Sequence, residues 1–145
     1  MDEKWTANAL GRLRSESGRS GGARRVVVEL LARQDCCLSA HEIYEAARGA
    51  GVRVGIASVY RTLDGLDELG LVQRVDLGDG VSRFERADPG GDHHHHLVCD
   101  DCGRIEPFED PALEAAIVGV AGGRGYDVAA HDVVLRGTCD DCRLD

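Results

Sequence analysis

The sequence predicts an α+β chain in two modules, three helices closed by a β-hairpin and then a small mixed α/β module. Three observations carry this reading. Apolar residues recur at helical spacing in the first half and then give way to two short segments around Gly78-Asp79-Gly80. A turn-rich stretch, Ala87-Asp-Pro-Gly-Gly-Asp92, divides the chain. Charge is divided at the same place: residues 1–88 hold 13 Lys+Arg against 14 Asp+Glu, residues 89–145 hold 4 against 12, and the net charge is −9.

The elements follow in order. Residues 1–22 are polar, with a short helix expected around Trp5–Leu13 and a flexible stretch after it. Val27, Leu30 and Leu31 give a helix from Ala23 to Arg33. Ser39-Ala-His-Glu42 has the form of a capping box, so a second helix should run to about Arg48 and stop at Gly49 or Gly51. A third begins near Ile56: Ile56, Val59, Leu63, Leu66 and Leu69 share one stripe, Ala57, Tyr60, Arg61 and Asp64 lie opposite, and Gly70 ends it. Strands are expected at Leu71–Val75 and Val81–Glu85, with a hairpin turn between them. Three helices and a hairpin in this order describe a winged helix-turn-helix, whose last helix enters the DNA major groove. The domain reading is 1–87 for this module, 88–92 for the linker and 93–145 for the second module.

In the second module strands are expected at Leu97–Val98, Arg104–Phe108 and Asp127–Leu135. Asp110 and Pro111 open a helix through Leu113, Ile117 and Val120 to Gly122-Gly123. A core of this size is marginal alone, and a structural metal or a partner subunit would remedy that. The start MDEKWTANAL has no apolar core after a basic run, and no stretch reaches the roughly 18 apolar residues of a membrane span. A cytoplasmic protein with no membrane partner is expected. Six cysteines then point to metal binding or redox chemistry rather than to a disulfide framework.

The strongest chemical signal is Cys99-x-x-Cys102 with Cys139-x-x-Cys142. Each pair can put two thiolates on one side of a tight turn, and two pairs complete a tetrahedral sulfur site suited to Zn(II). The alternatives are two separate redox pairs or plain core cysteines. The second signal is the run His93-His94-His95-His96. In an extended strand alternate side chains share a face, so His93 pairs with His95 and His94 with His96, and the run could serve two metals. The alternative is a solvated polar linker. Candidate further ligands are Glu114 and His131 for the first pair, and Glu85 and Cys37 for the second. The latter would tie the two modules together. A lone His131 would more often be an ordinary strand histidine.

These segments, SAHEIYEAA, ASVYRTLDGLDELGLV, HHHHLVCDDCGRIEPFED, GYDVAAHDVVLRGTC and the final CDDC, resemble the ferric uptake regulator (Fur) family over residues 37–142. The resemblance implies a homodimer with an N-terminal winged-helix domain and a C-terminal α/β dimerisation domain. It implies a repressor that binds a palindromic operator in double-stranded DNA when loaded with metal. On it, Cys99, Cys102, Cys139 and Cys142 fall on the structural zinc cysteines. His93, His95, Glu114 and His131 fall on a site in the dimerisation domain, and Glu85, His94 and His96 on an interdomain sensory site. Tyr60 and Arg61 fall on the recognition-helix pair, and Arg25 on a helix-start arginine facing the DNA backbone. Cys37 stands where iron- and peroxide-sensing relatives usually carry a histidine. Pro107 stands where many carry a glutamate, with Glu106 and Glu109 beside it. Zinc-uptake relatives often take a cysteine near the position of Ala87.

The regulatory ion is therefore expected to be Fe(II) or Zn(II), bridging Cys37 and Glu85 to His94 and His96. Arg61 and Arg25 would meet phosphates and Tyr60 a thymine methyl, the alternative for Tyr60 being a surface tyrosine with no partner. A peroxide-sensing regulator is the alternative within the family, with adjacent Cys36 and Cys37 an oxidisable pair. An enzyme is not expected. A zinc hydrolase would need an open metal position and a base, and neither HExxH nor a nucleophile motif is present. A thiol oxidoreductase would need an electropositive setting, whereas Asp100, Asp101, Asp140 and Asp141 fill the CxxC interiors and should raise the thiol pKa values.

Overall fold

A computed structural model describes residues 2–17, 21–87 and 94–144. It divides into two compact units, Met1–Gly91 and Asp92–Asp145.

The first unit starts with α1 (Glu3–Ser17), which Asp2 opens by accepting the Trp5 N–H at 3.0 Å. Trp5, Ala9 and Leu13, four residues apart, are all buried. Trp5 donates its indole N–H to the Leu71 carbonyl at 3.2 Å, satisfying the ring's polar edge inside the core. α2 (Gly22–Arg33) buries Val27, Val28, Leu31 and Ala32. The capping box forms: Ser39 Oγ accepts from Glu42 N, and Glu42 accepts from Ser39 N, at the start of α3 (Ala40–Gly49). α4 (Ile56–Glu68) buries Val59, Thr62, Leu63 and Leu66, and Gly70 takes φ +69 just beyond it.

Three strands complete this unit. β1 (Leu38–Ser39), too short to be read from sequence, pairs with β3 (Ser82–Arg86), which pairs with β2 (Val72–Asp76), all antiparallel. The β2–β3 turn places Gly78 and Gly80 at φ +83 and +77, where a Cβ would be strained. Phe84 is driven into the helical core. Arg74 lies over its ring and pairs with Asp64 and Asp67, both at 3.1 Å, which fastens the wing to α4.

The second unit is a sheet in the order β5-β4-β6 with two helices. β4 (His95–Cys99) runs antiparallel to β5 (Ile105–Phe108) and parallel to β6 (Val134–Gly137). Pro107 costs little on β5, an edge strand. Asp110 caps α5 (Pro111–Gly122) by accepting from the N–H groups of Ala112 and Leu113. A last turn of helix, α6 (Asp140–Arg143), carries Cys142.

One expected strand is shorter than the sequence suggests. Residues 127–133 are not in a strand, and β6 begins only at Val134. Its ladder is with β4, and the first pair is His96 with Val134. Just before it, the Val133 N–H is taken by the ring of His95 rather than by a strand, and His131 turns toward Glu114.

Candidate metal centres and nucleic-acid face

The four cysteines converge because two parallel strands end at the same edge. Cys99 is the last residue of β4 and faces Gly137 at the end of β6. Two residues later Cys139 opens α6, and Asp100 N–H donates to the Gly137 carbonyl at 2.8 Å. The tight turn through Gly103, at φ +77, brings Cys102 back beside Cys99. All four sulfurs lie within 4.8 Å of one another, with Cys102 and Cys139 3.8 Å apart. A tetrahedral ion with Zn–S bonds of about 2.3 Å sets its sulfurs about 3.8 Å apart, so this donor set fits zinc.

The electrostatics of the cluster differ from the sequence expectation. The backbone N–H groups of Cys102 and Cys139 pull the Cys99 thiol down to about 6. Cys142 is pushed up by the hydrogen bonds it shares with Cys139 and then Cys102. The aspartates of the CxxC interiors do not set this pattern. Arg104 holds Asp140 and Asp141, each at 2.8 Å, and Arg136 holds Asp100 at 2.6 Å.

A second cluster joins β4, α5 and the segment before β6. His95 is fully buried and its Nε2 meets Glu114 Oε1, while His131 Nε2 meets Glu114 Oε2 at 2.6 Å. The Val133 N–H donates to His95 Nδ1 at 3.2 Å, so the neutral ring carries its proton on Nε2 and gives it to Glu114. His93, the fourth residue expected for this site, lies outside the described residues.

The hydrogen bond from His95, then that from His131, holds the Glu114 carboxyl below its ordinary range. Its contribution to stability is therefore present above the unfolded carboxyl's pKa and is lost as pH falls through the depressed folded value. Glu114→Gln is expected to lower the urea midpoint of the second unit at pH 7, with the difference from wild type closing below about pH 4. Equal midpoints at pH 7, read by circular dichroism, would show that the carboxylate contributes nothing.

The residues expected for the sensory site form two pairs, one in each unit. In the first unit Cys37 precedes β1, and the antiparallel register brings it opposite Glu85 on β3. The Cys37 thiol is held above its ordinary range by its hydrogen bond with Cys36, then by burial and by the charges of Cys36 and Glu85. Glu85 accepts a hydrogen bond from the Gln73 amide on β2. In the second unit the rings of His94 and His96 lie 5.0 Å apart on the face of β4 opposite His95.

On α4, Tyr60 is 43 % exposed, on the side away from the buried stripe. It has a partner: the His41 ring on α3 meets it edge-on, centroids 6.4 Å apart. Arg61 is exposed and donates to Ser58 Oγ at 3.0 Å. Arg25, in the first turn of α2, is exposed and reaches Glu29 at 3.1 Å. Arg14 and Arg24 join Arg25 around a pocket of about 200 Å³ at the start of α2. The sequence reading passed over these two arginines and His41. Arg14 ends one helix and Arg24 begins the next, and only the packing of α1 on α2 makes them neighbours.

The family model described as the ferric uptake regulator family matches residues 16–136. The chain belongs to the ferric uptake regulator family. The ferric uptake regulation protein of Bordetella parapertussis is 38% identical over 106 residues, 73% of this chain and 75% of that one. The solved ferric uptake regulator of Helicobacter pylori superposes with a TM-score of 0.80 at 29% identity, covering 95% of this chain and 93% of that one. Its structure is described as revealing three functional metal binding sites. The regulator of Vibrio cholerae gives a TM-score of 0.76 at 31% identity, over 89% and 98% of the two chains. This regulator is accordingly a metal-dependent transcriptional repressor, dimeric and DNA-binding, and not an enzyme. Among the described residues no helix is long and apolar enough to cross a membrane.

Proposed function

We propose that this regulator is a cytoplasmic homodimer that binds a palindromic operator when two kinds of metal site are filled. The observation that carries the proposal is the distribution of ligands. Cys37 and Glu85 stand together on the winged-helix unit, and His94 and His96 stand together on the other. An ion held by all four ties the operator-reading unit to the dimerising one. Metal binding and DNA binding then favour the same state, a coupling of typically about 1–3 kcal/mol.

Cys99, Cys102, Cys139 and Cys142 would hold a structural Zn(II), which supplies cross-linking and no chemistry. His95, Glu114 and His131, with His93, would form the third site. The apolar faces left on the second unit suit the homodimer: α5 buries no residue in the single chain, and Val118 and Val120 are 60% and 63% exposed. In the first unit α4 is the recognition helix. Tyr60 and Arg61 face the groove and Arg25, with Arg14 and Arg24 around it, faces the backbone.

Arg61→Ala is expected to weaken operator binding across sequences and to lower the salt slope by about 1, as the loss of one phosphate contact does. An unchanged slope would remove Arg61 from the interface. The regulatory reading is tested by anaerobic binding to the protein's own upstream DNA while free Zn(II) and Fe(II) are titrated separately, on protein that keeps its structural zinc. Binding switched on by one of these ions identifies the effector. DNA binding indifferent to both overturns the switch.

A further inference from the structure

Cys36 and Cys37 are adjacent, and in an extended chain adjacent side chains leave on opposite sides. Here they do not. The backbone bends at Asp35 and Cys36, between α2 and β1, and the two sulfurs come to 3.8 Å. Both are reduced thiols, Cys37 buried and Cys36 half-buried. Neither residue lies within a helix or strand, where the backbone would resist a small adjustment. The pair is poorly shaped to bond to itself. Consecutive Cα atoms stand about 3.8 Å apart, whereas an unstrained disulfide asks for about 4.4–6.8 Å. One atom inserted between the sulfurs removes that conflict: with bonds of about 2.3 Å it spans up to about 3.8 Å at a tetrahedral angle.

We propose that Cys36 and Cys37 form a vicinal-dithiol site for trivalent arsenic, carried wholly by the winged-helix unit. The donors at hand decide which inserted atom fits. Zinc in a closed site takes four ligands. This stretch supplies two sulfurs, and the carboxylate opposite Cys37, that of Glu85, accepts from the Gln73 amide. Trivalent arsenic is thiophilic, forms three pyramidal bonds and brings its own third substituent, a hydroxide in arsenite or an organic group in an arsenical. Two thiols therefore complete it. No electrons move. Each thiol gives its proton to an arsenic-bound hydroxide, the oxygen leaves as water, and two As–S bonds replace two As–O bonds with arsenic still trivalent. The half-buried Cys36 is the sulfur a solute reaches first, and Cys37, 3.8 Å away, closes the second bond within the same chain. Such closure strengthens binding by about a hundredfold to ten-thousandfold over a single attachment. The bend that aligns the two sulfurs is already in place, so little chain ordering remains to be done on binding. The site needs no residue of the second unit, so it stands apart from the regulatory-metal reading given above.

The test uses the full chain, reduced and anaerobic, with zinc in the four-cysteine site. Phenylarsine oxide is titrated in, arsenic and zinc per chain are counted by native mass spectrometry, and the remaining thiols are alkylated before digestion with trypsin. Wild type is expected to take one phenylarsenic per chain and to keep its zinc. The tryptic peptide Gln34–Arg48, whose only cysteines are Cys36 and Cys37, should be shielded from alkylation, and 2,3-dimercaptopropanol should expose it again. The titration is repeated with arsenite, and shielding by one reagent alone supports the site and names its ligand as inorganic or organic. Cys36→Ser should weaken phenylarsine oxide binding by at least about a hundredfold, since one attachment remains. The alkylation map is read on wild type, so it decides the matter even where the variant misfolds. A peptide left open by both reagents overturns the site, as does arsenic found only on Cys99, Cys102, Cys139 and Cys142 with zinc released. A folded Cys36→Ser protein that binds as wild type does overturns it equally.

Discussion

Replacing Cys99 with serine is expected to release the structural zinc and unfold the second unit, with loss of the dimer. Among the described residues the buried side chains of this unit are His95, His96 and Cys99, whereas Trp5, Val27, Leu31, Ile43, Leu63, Leu66 and Phe84 fill the first unit. Three strands of four or five residues and a helix with no buried position cannot hold themselves by apolar burial. The four-cysteine cluster ties the ends of β4 and β6 to α6. Cys99 is its most buried member, and it accepts the Cys139 N–H at 3.3 Å. Structural zinc contributes on the order of 10–16 kcal/mol of apparent binding energy, as much as or more than the whole stability of an ordinary domain. Zinc content measured with a chromogenic chelator should fall below one per chain, and sedimentation should show monomer. A Cys99→Ser protein that kept one tight zinc per chain and its wild-type melting curve would remove the cluster from any structural role.

His96→Ala should have the opposite profile, an intact dimer that no longer responds to metal. The backbone of His96 is held independently of its ring: its N–H donates to the Val133 carbonyl at 3.1 Å, and its register partners are Pro107 and Val134. Truncation therefore leaves the sheet in place and removes one imidazole from the pair it forms with His94. The four-cysteine cluster lies at the far end of β4, where zinc stoichiometry should be unchanged. Metal should normally raise operator affinity by about 5–150-fold, the factor equivalent to the coupling energy, and in the variant that factor should collapse toward one. Fluorescence anisotropy on operator DNA, with and without effector metal, gives the answer. A His96→Ala protein that responded to metal as wild type does would sink the sensory assignment.

Much of the first unit was legible because its signals are local. The Ser39–Glu42 capping box, the stripe Val59, Leu63, Leu66 and the turn at Gly78 and Gly80 each depend on residues within a few positions of one another, and each forms as read. The failures share a cause. The segment from Asp127 to Val133 has the composition of a strand, but a strand exists only where a neighbour pairs with it, and β4 pairs with no residue of this segment, its register with β6 starting at Val134. β1 is two residues long and is defined solely by its pairing with β3. The aspartates between the cysteines were expected to raise the thiol pKa values. Cys142 is raised, but by its hydrogen bonds with Cys139 and Cys102, whereas two backbone N–H groups lower Cys99, and Arg104 and Arg136, distant in sequence, pair with Asp100, Asp140 and Asp141.

The amino-acid sequence by itself determined the family, the helices and wing of the first unit, and which residue types could bind metal, because periodicity, caps and CxxC spacing are written within short windows. Only the tertiary structure decided which of those residues meet. Parallel β4 and β6 end together, so Cys99 and Cys139 share a cluster across 40 positions. A bend at Asp35 and Cys36 turns two adjacent sulfurs to one side, and helix packing gathers Arg14, Arg24 and Arg25. Each juxtaposition depends on the direction of a strand, a bend or a helix axis, which no single stretch of sequence specifies.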